Sequence, residues 1–275
     1  MKDQSRYHIR VLERALRILY LMTDGRARTL RELSVEVGLS DSTVFRLLTT
    51  LTSYGYLQRI EQNGRYSLGL ASLELARAYQ DGDDLRKMAL SELEALRDDV
   101  KETVHLAILD DVEVVYLEKL PGLHAIGLMG SRVGGRSPAH CTGVGKILLA
   151  HQGPEVVQRY IEKKGLKKYT KTTLTSEDEF LNHLEMVRKK GYALDNGEHE
   201  EEVRCVAAPL FDMNGDVVAA ISISGPAARM DPIASNQYLI EKAKAASIAI
   251  SAKLGYRFKS LFPAYGKEDQ NAKSN

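Results

Sequence analysis

Cysteine is nearly missing from this chain of 275 residues: there are two, Cys141 and Cys205, too few for the disulfide framework on which small secreted domains rely. Long apolar runs are missing too. No stretch of about 18 apolar residues exists to span a bilayer, and the opening MKDQSRYHIR has no apolar segment of the kind that directs secretion. The cytoplasm is therefore the expected compartment. Net charge is also small, a formal +1, but it is unevenly spread: residues 1–70 hold eleven Lys or Arg against seven Asp or Glu, which leaves −3 for the remainder. That split fits a nucleic-acid-facing head on a body that does not attract nucleic acid. There is no internal repeat and no Cys-x-x-Cys spacing of the metal-finger kind. At 44% hydrophobic and 27% charged residues, the chain suits a globular protein long enough for two domains.

What is present begins with Leu30 to Tyr56. Leu30, Leu33 and Val37 recur at helical spacing; Gly38, Leu39 and Ser40 interrupt, and Val44, Leu47, Leu48 and Leu51 resume the period. Two helices sharing one small core, a helix-turn-helix, are predicted. Thr29 with Glu32 makes a capping box for the first helix, and Ser40 or Asp41 is placed to cap the second. Between the apolar positions of the second helix fall Ser42, Thr43, Phe45, Arg46, Thr49 and Thr50, side chains that suit a DNA groove. A solvated αα-hairpin would show the same periodicity, so the flanks decide. A helix over Val11 to Met22 precedes the pair, and Leu57 to Leu68 follows as a hairpin turning at Gln62, Asn63 and Gly64. Helix, helix, helix and two-stranded wing is the order of a winged head. Ser40, Ser42, Thr43, Arg46 and Thr50 are its candidate DNA contacts, with Arg28, Arg59 and Arg65 for the phosphates.

A helix from Leu70 to Tyr79 and a polar boundary lead to an amphipathic connector, Asp84 to Val100, with Leu85, Met88, Leu93 and Leu96 on one stripe. Short strand-like runs follow at 103–109, 112–120 and 125–129, then helices at about 143–150, 155–164 and 176–190. Strands at 192–194, 204–211 and 217–224 come next, with Asn214-Gly215 as a hairpin turn, and a last helix runs from about Ile233 to Leu254. Strands and helices do not alternate as βαβ units, so an α+β domain with a largely antiparallel sheet is expected. The domains divide as 1–80, a linker helix 81–100, an α+β body 101–258 and a polar tail 259–275.

Three segments of the body carry chemistry. PAHCTGVGKILLA places Gly143 and Gly145 at the start of a helix, where open backbone N–H groups favour an anion. It is not a nucleotide P-loop, because His140 and Ile147 stand where Gly and Ser or Thr are required. In AAISISGP, strand alternation sends Ser222 and Ser224 to one face and Ile221 and Ile223 to the other, toward either a pocket or solvent. The third segment, Asp195 to Phe211, brings Asp195, His199 and Cys205. His140, Cys141, Asp195, His199 and Cys205 have no zinc-site spacing, and no cofactor motif is present. Cys141 with His140 and Lys146 is the competing enzymatic reading, without the local signature of a thiol enzyme.

The runs ERALRILYLM, LRELSVEVGLSDSTVFRLLTTLTSYGYL, YSLGLASLELA, RSPAHCTGVGKILLA, GYALDNGEHEEEVRCVAAPLFD and AAISISGP resemble, in order and separation, the IclR-type transcriptional regulators, the isocitrate lyase regulator family. The resemblance implies an all-α winged helix-turn-helix head and a GAF-like α+β effector domain joined by a linker helix. It implies dimers or tetramers binding an inverted-repeat operator in double-stranded DNA, repression of a catabolic operon, and a small organic-acid or sugar-acid effector. Activation by the same architecture is the alternative. The implied effector pocket comprises Met129, Gly143, Val144, Asp195, Cys205, Ser222 and Ser224. Two positions depart from the family pattern: Gly143, commonly Ala, and Glu202, often Gly.

Overall fold

A computed structural model gives the fold, described for residues 9–82, 84–124 and 129–257. The expected strand at 125–129, apart from Met129, and the expected tail at 259–275 lie outside these residues. The chain forms two compact units that divide at Asp83 and Asp84.

The first unit contains α1 (Arg10–Leu21), α2 (Leu30–Val37), α3 (Asp41–Ser53), the antiparallel strands β1 (Leu57–Ile60) and β2 (Arg65–Leu68), and α4 (Leu70–Gly82). Its core joins Ile18 and Met22 to Leu33, Val37, Val44, Leu47, Leu48 and Leu51, and to Leu57 and Tyr66 of the strands; in α2 and α3 these are the positions that the helical period selects, whereas α1 buries Ile18 and leaves Leu12 and Leu16 exposed. The capping box is complete: Thr29 Oγ1 accepts from Glu32 N at 3.2 Å, and Glu32 Oε2 accepts from Thr29 N at 2.7 Å. The start of α3 differs from expectation. Ser40 stands at the N-cap, but its hydroxyl lies against Ser42 Oγ (3.2 Å) and Thr43 Oγ1 (3.0 Å), and Asp41 pairs with Arg31 at 3.3 Å. In the wing the loop is Glu61 to Gly64, with Gly64 at φ +65° and Asn63 Oδ1 accepting from Arg65 N.

The second unit opens with α5 (Asp84–Val100) and continues through β3 (Thr103–Asp110), β4 (Glu113–Leu120), β5 (Arg136–Ser137), α6 (Gly143–Ala150), α7 (Pro154–Lys164) and α8 (Glu177–Lys190). It ends with β6 (Ala193–Asn196), β7 (Val203–Phe211), β8 (Val217–Pro226), the short α9 (Ala227–Met230) and α10 (Gln237–Lys253). All six strands pair antiparallel in the order β5-β4-β3-β8-β7-β6, so the first and last long strands lie side by side at the centre. Val104, Leu106, Ile221 and Ile223 face α5 and α10 across one core; Ala107, Ala207 and Ala220 face α6 to α8 across the other. α5 is thus part of this unit. Ala89, Leu93 and Leu96 are spent in its core, and Met88 remains exposed on the stripe. The final helix begins later than its apolar pattern suggests, because Ile233–Ser235 forms a separate 3₁₀ turn. The two-residue β5 falls in a stretch expected to be loop.

Candidate functional sites in the two units

In the first unit, Val44, Leu47, Leu48 and Leu51 anchor α3, which leaves Ser42, Phe45, Arg46, Thr49 and Thr50 exposed and Thr43 half-buried. Among the described residues no ion pair or hydrogen bond engages the Arg46 or Arg59 guanidinium, and both are exposed. Two other arginines are placed differently from the phosphate-contact expectation. Arg28, with its side chain 12% exposed, donates to both oxygens of Asp24 (2.8 and 2.7 Å) and to Glu36 (3.2 Å). The Arg28 hydrogen bond, reinforced by the Arg26 amide, holds the Asp24 carboxyl well below the usual carboxylate range. Arg65 donates to both Glu32 oxygens (3.0 and 3.2 Å) and to the Ala27 carbonyl (2.8 Å). It ties the wing to the capping box of α2. These forks are filled by carboxylates already in place, so a phosphate must displace an internal partner to reach them. Also in this unit, Leu12, Leu16, Tyr20, Leu68 and Leu75 line an open apolar groove of about 1130 Å³ between α1 and α4.

In the second unit, antiparallel register aligns Asp195 on β6 with Cys205 on β7 and Ser224 on β8, and sets His105 on β3 opposite Ser222. All seven expected ligand contacts, Met129, Gly143, Val144, Asp195, Cys205, Ser222 and Ser224, line one pocket. The serines are buried, not solvent-facing. Thr142 at the N-cap of α6 turns its hydroxyl to the Pro138 carbonyl (2.9 Å), so no side chain caps the first N–H groups of the helix. Gly143 lies so close to β7 that a Cβ there would stand 3.2 Å from the Ala207 Cβ. At Gly145 a Cβ would collide with the Ala139 carbonyl, which makes that glycine a packing requirement.

The pocket also contains His199, noted in the sequence without a role, and His105, Tyr116, Ser131 and Glu200, which sequence reasoning did not single out. His105 had one usable signal: it shares strand parity with Thr103 and Ala107, opposite Val104 and Leu106. Burial, with Lys119 nearby, depresses its pKa to about 3, so the imidazole is neutral. Asp195 is buried, accepts from Glu198 N at 2.7 Å, and is pushed up to about 7 by desolvation against the pull of Lys146. Burial also pushes the Cys205 thiol up. The loop carrying His199 and Glu200 is pinned from outside: Thr170 and Thr172 donate to the Gly197 carbonyl (2.6 and 2.8 Å), and Thr173 to that of Glu198 (2.7 Å).

The groups of the enzymatic reading are otherwise engaged. Cys141 is buried with its thiol pushed up, chiefly by desolvation. His140 lies between Tyr160 Oη (2.6 Å) and the Lys167 carbonyl (2.9 Å), and Lys146 is sealed against Glu198. Among the described residues no group of His, Cys, Asp and Glu is arranged to hold a metal ion, and no helix is long and apolar enough to cross a membrane.

A winged helix-turn-helix unit with a groove-ready helix, followed in the chain by an α+β unit containing a polar pocket, defines a DNA-binding regulator of the two-domain class. Residues 11–61 match the IclR helix-turn-helix domain, and residues 77–252 match the bacterial transcriptional regulator IclR C-terminal domain. The chain belongs to the IclR family of bacterial transcriptional regulators and is not an enzyme. It is 38% identical over 242 residues to the HTH-type transcriptional regulator KdgR of Escherichia coli K12, covering 87% of this chain and 90% of that protein. The crystal structure of Thermotoga maritima IclR matches with a TM-score of 0.72 at 31% identity, over 90% of this chain and all of that one. An IclR homolog of Microbacterium hydrocarbonoxydans, solved with 4-hydroxybenzoate, matches with a TM-score of 0.78 at 29% identity, over 89% and 98%.

Proposed function

We propose that this regulator represses a catabolic operon in the bacterial cytoplasm and is released from its operator by a small organic or sugar acid. The observation that carries the reading is the coexistence, in one chain, of the exposed hydroxyl-and-arginine face of α3 and a buried pocket beside the uncapped start of α6. Ser40, Ser42, Thr43, Arg46 and Thr50 contact the groove and Arg59 the backbone, while Arg28 and Arg65 hold the head together. A carboxylate at the amides of Gly143 and Val144 gains from the helix dipole and from donors that have no side-chain cap. Met129, Cys205, Asp195, Ser222 and Ser224 surround the remainder of the ligand.

Two copies pair through the apolar faces of α1 and α4, where Leu12, Leu16, Tyr20 and Leu75 are otherwise left to water. The stripe of α5 supplies little for this, being buried in its own unit. A paired head reads an inverted repeat with half-sites one helical turn or a multiple apart. The effector must prefer one state, and about 1–3 kcal/mol of coupling changes operator affinity 5- to 150-fold. Titrating organic acids into the protein by calorimetry, with and without operator DNA, tests the reading. Reciprocal weakening is expected; equal acid affinity in both states overturns it, and operator affinity that rises with acid overturns release by the acid.

A further inference from the structure

The pocket is narrowed by one of its own hydroxyls. Lys119 on β4 donates to the carbonyls of Met129 (3.3 Å) and Ser131 (2.5 Å), which pins that short stretch over the sheet. Ser131 Oγ then lies 2.9 Å from His105 Nε2, while His105 Nδ1 lies 3.3 Å from Ser222 Oγ and 3.4 Å from Ser224 Oγ. The space left inside is about 40 Å³, room for about two or three water molecules and well below the several hundred Å³ of a typical ligand site. A six-carbon ligand therefore enters only by moving a wall, and the Ser131 to His105 bond is the contact that a ligand hydroxyl can replace while Lys119 keeps its hold on the two carbonyls.

The chemistry of the wall says what replaces it. Among the described residues no lysine or arginine lines the pocket; Lys119 is spent on carbonyls and Lys146 on Glu198. Glu200 faces the same space and the buried Asp195 carboxyl already resists ionising there, so a second carboxylate on the ligand would be disfavoured by both like charge and desolvation. A bare hydrocarbon chain would leave His105 Nε2 buried without a partner once Ser131 withdrew, since Ser222 and Ser224 serve only Nδ1 and each other. A neutral imidazole carries one donor and one acceptor, and serine hydroxyls are both, so a hydroxyl satisfies either.

We infer that Ser131 occupies the place of a ligand hydroxyl: the effector is a monocarboxylate with hydroxyls on the carbons remote from its carboxylate, and it opens the site by taking over the Ser131 bond to His105. This rests on the effector reading above and adds His105 and Ser131 as the residues that set specificity.

The test is calorimetry of the full-length protein with six-carbon probes: the stereoisomeric hexonates D-gluconate, D-galactonate and D-mannonate against hexanoate, adipate and 6-aminohexanoate. At least one hexonate is expected to bind about tenfold or more tighter than the other three acids. Ser131→Ala is expected to tighten that hexonate by about two- to tenfold, since the ligand no longer competes with an internal hydrogen bond. It should also lower the melting temperature of the ligand-free protein more than that of the complex. His105→Phe should erase the hexonate preference, and His105→Gln, which keeps a donor and an acceptor, should retain part of it and guards against a folding defect in the phenylalanine variant. A Ser131→Ala protein that binds the hexonate equally or more weakly overturns the exchange while leaving the effector reading standing. Tighter binding of hexanoate, adipate or 6-aminohexanoate overturns the ligand class. If no acid binds wild-type protein with an intact fold, the effector reading fails and this inference with it.

Discussion

Lys146 and Glu198 form a buried ion pair: the lysine side chain is 0% exposed and the glutamate 8%. Glu198 Oε2 has no hydrogen-bond partner among the described residues, so one ammonium carries most of the compensation for a buried carboxylate. Removing only the lysine strands that charge. Lys146→Met should cost about 3–5 kcal/mol of stability, and Lys146→Met with Glu198→Leu should recover much of it, because apolar replacement of a whole buried pair is often neutral or better. Thermal and urea unfolding of the three proteins measure this. A double variant as unstable as the single would show that packing, not charge, is lost.

Asp195 gives the effector domain a pH-dependent stability. Its carboxyl is raised from an ordinary 3.8 to about 7 by burial, with Lys146 opposing, and with Glu198 raising it further. Because the folded pKa is the higher one, the associated stability is full below about pH 3.8, declines as pH rises and is gone above about pH 7. Asp195→Asn should remove that decline and stabilise the protein at pH 8 by no more than about 4 kcal/mol. His105 acts in the opposite sense: its pKa falls from 6.5 to about 3, so stability is lost as pH drops through that window. Urea midpoints of wild type and Asp195→Asn from pH 4 to 8 separate the two, and parallel curves would refute the Asp195 assignment.

Periodic features were readable from the sequence, and long-range pairings were not. The helix-turn-helix core, the Thr29–Glu32 box and the opposite facing of Ser222 and Ile223 each follow from spacing within a few residues. The seven expected effector-pocket residues rested on family resemblance, and the fold gathers them around one pocket. His105 escaped notice because TVHLAILD reads as a buried strand in which one polar residue has no local partner. Lys146 and Glu198 lie 52 residues apart, and Arg65 and Glu32 lie 33 apart, so charge alone did not say which groups fold onto which. The same gap hid the fate of α5: an amphipathic stripe announces that something covers it, not whether the cover comes from its own subunit.

The arginines of the head should separate by kind of defect. Arg46→Ala, exposed on α3, should weaken specific operator binding by about 1–3 kcal/mol if it reads a base, while Arg59→Ala should weaken all DNA similarly and lower the salt slope by about one. Arg28→Ala should chiefly destabilise the head, leaving Asp24 and Glu36 without their shared cation. Binding isotherms over a salt series, beside melting curves, distinguish these outcomes. An Arg28→Ala protein with unchanged melting and a reduced salt slope would return Arg28 to the DNA surface.

On the proposed reading, operator affinity depends most steeply on the pairing of heads. Leu12 and Leu16 on α1 are each 55% exposed, and Leu70, Leu73 and Leu75 on α4 are exposed as well, an apolar density unusual for a surface that stays wet. Since these side chains contribute little to the core of their own unit, Leu12→Glu with Leu16→Glu should leave the fold intact and place charges where a second copy would sit. Sedimentation should then show a loss of association, or a weaker one if the α+β units also pair. With the heads uncoupled, the second half-site no longer benefits from the effective concentration set by the first, and affinity for the full inverted repeat should fall about 10²- to 10⁴-fold while a single half-site is bound as before. Val35→Glu, an equally exposed position on α2, is the control and should change neither. Full operator affinity retained in the double variant would remove α1 from the interface and leave the apolar groove of about 1130 Å³ to another partner.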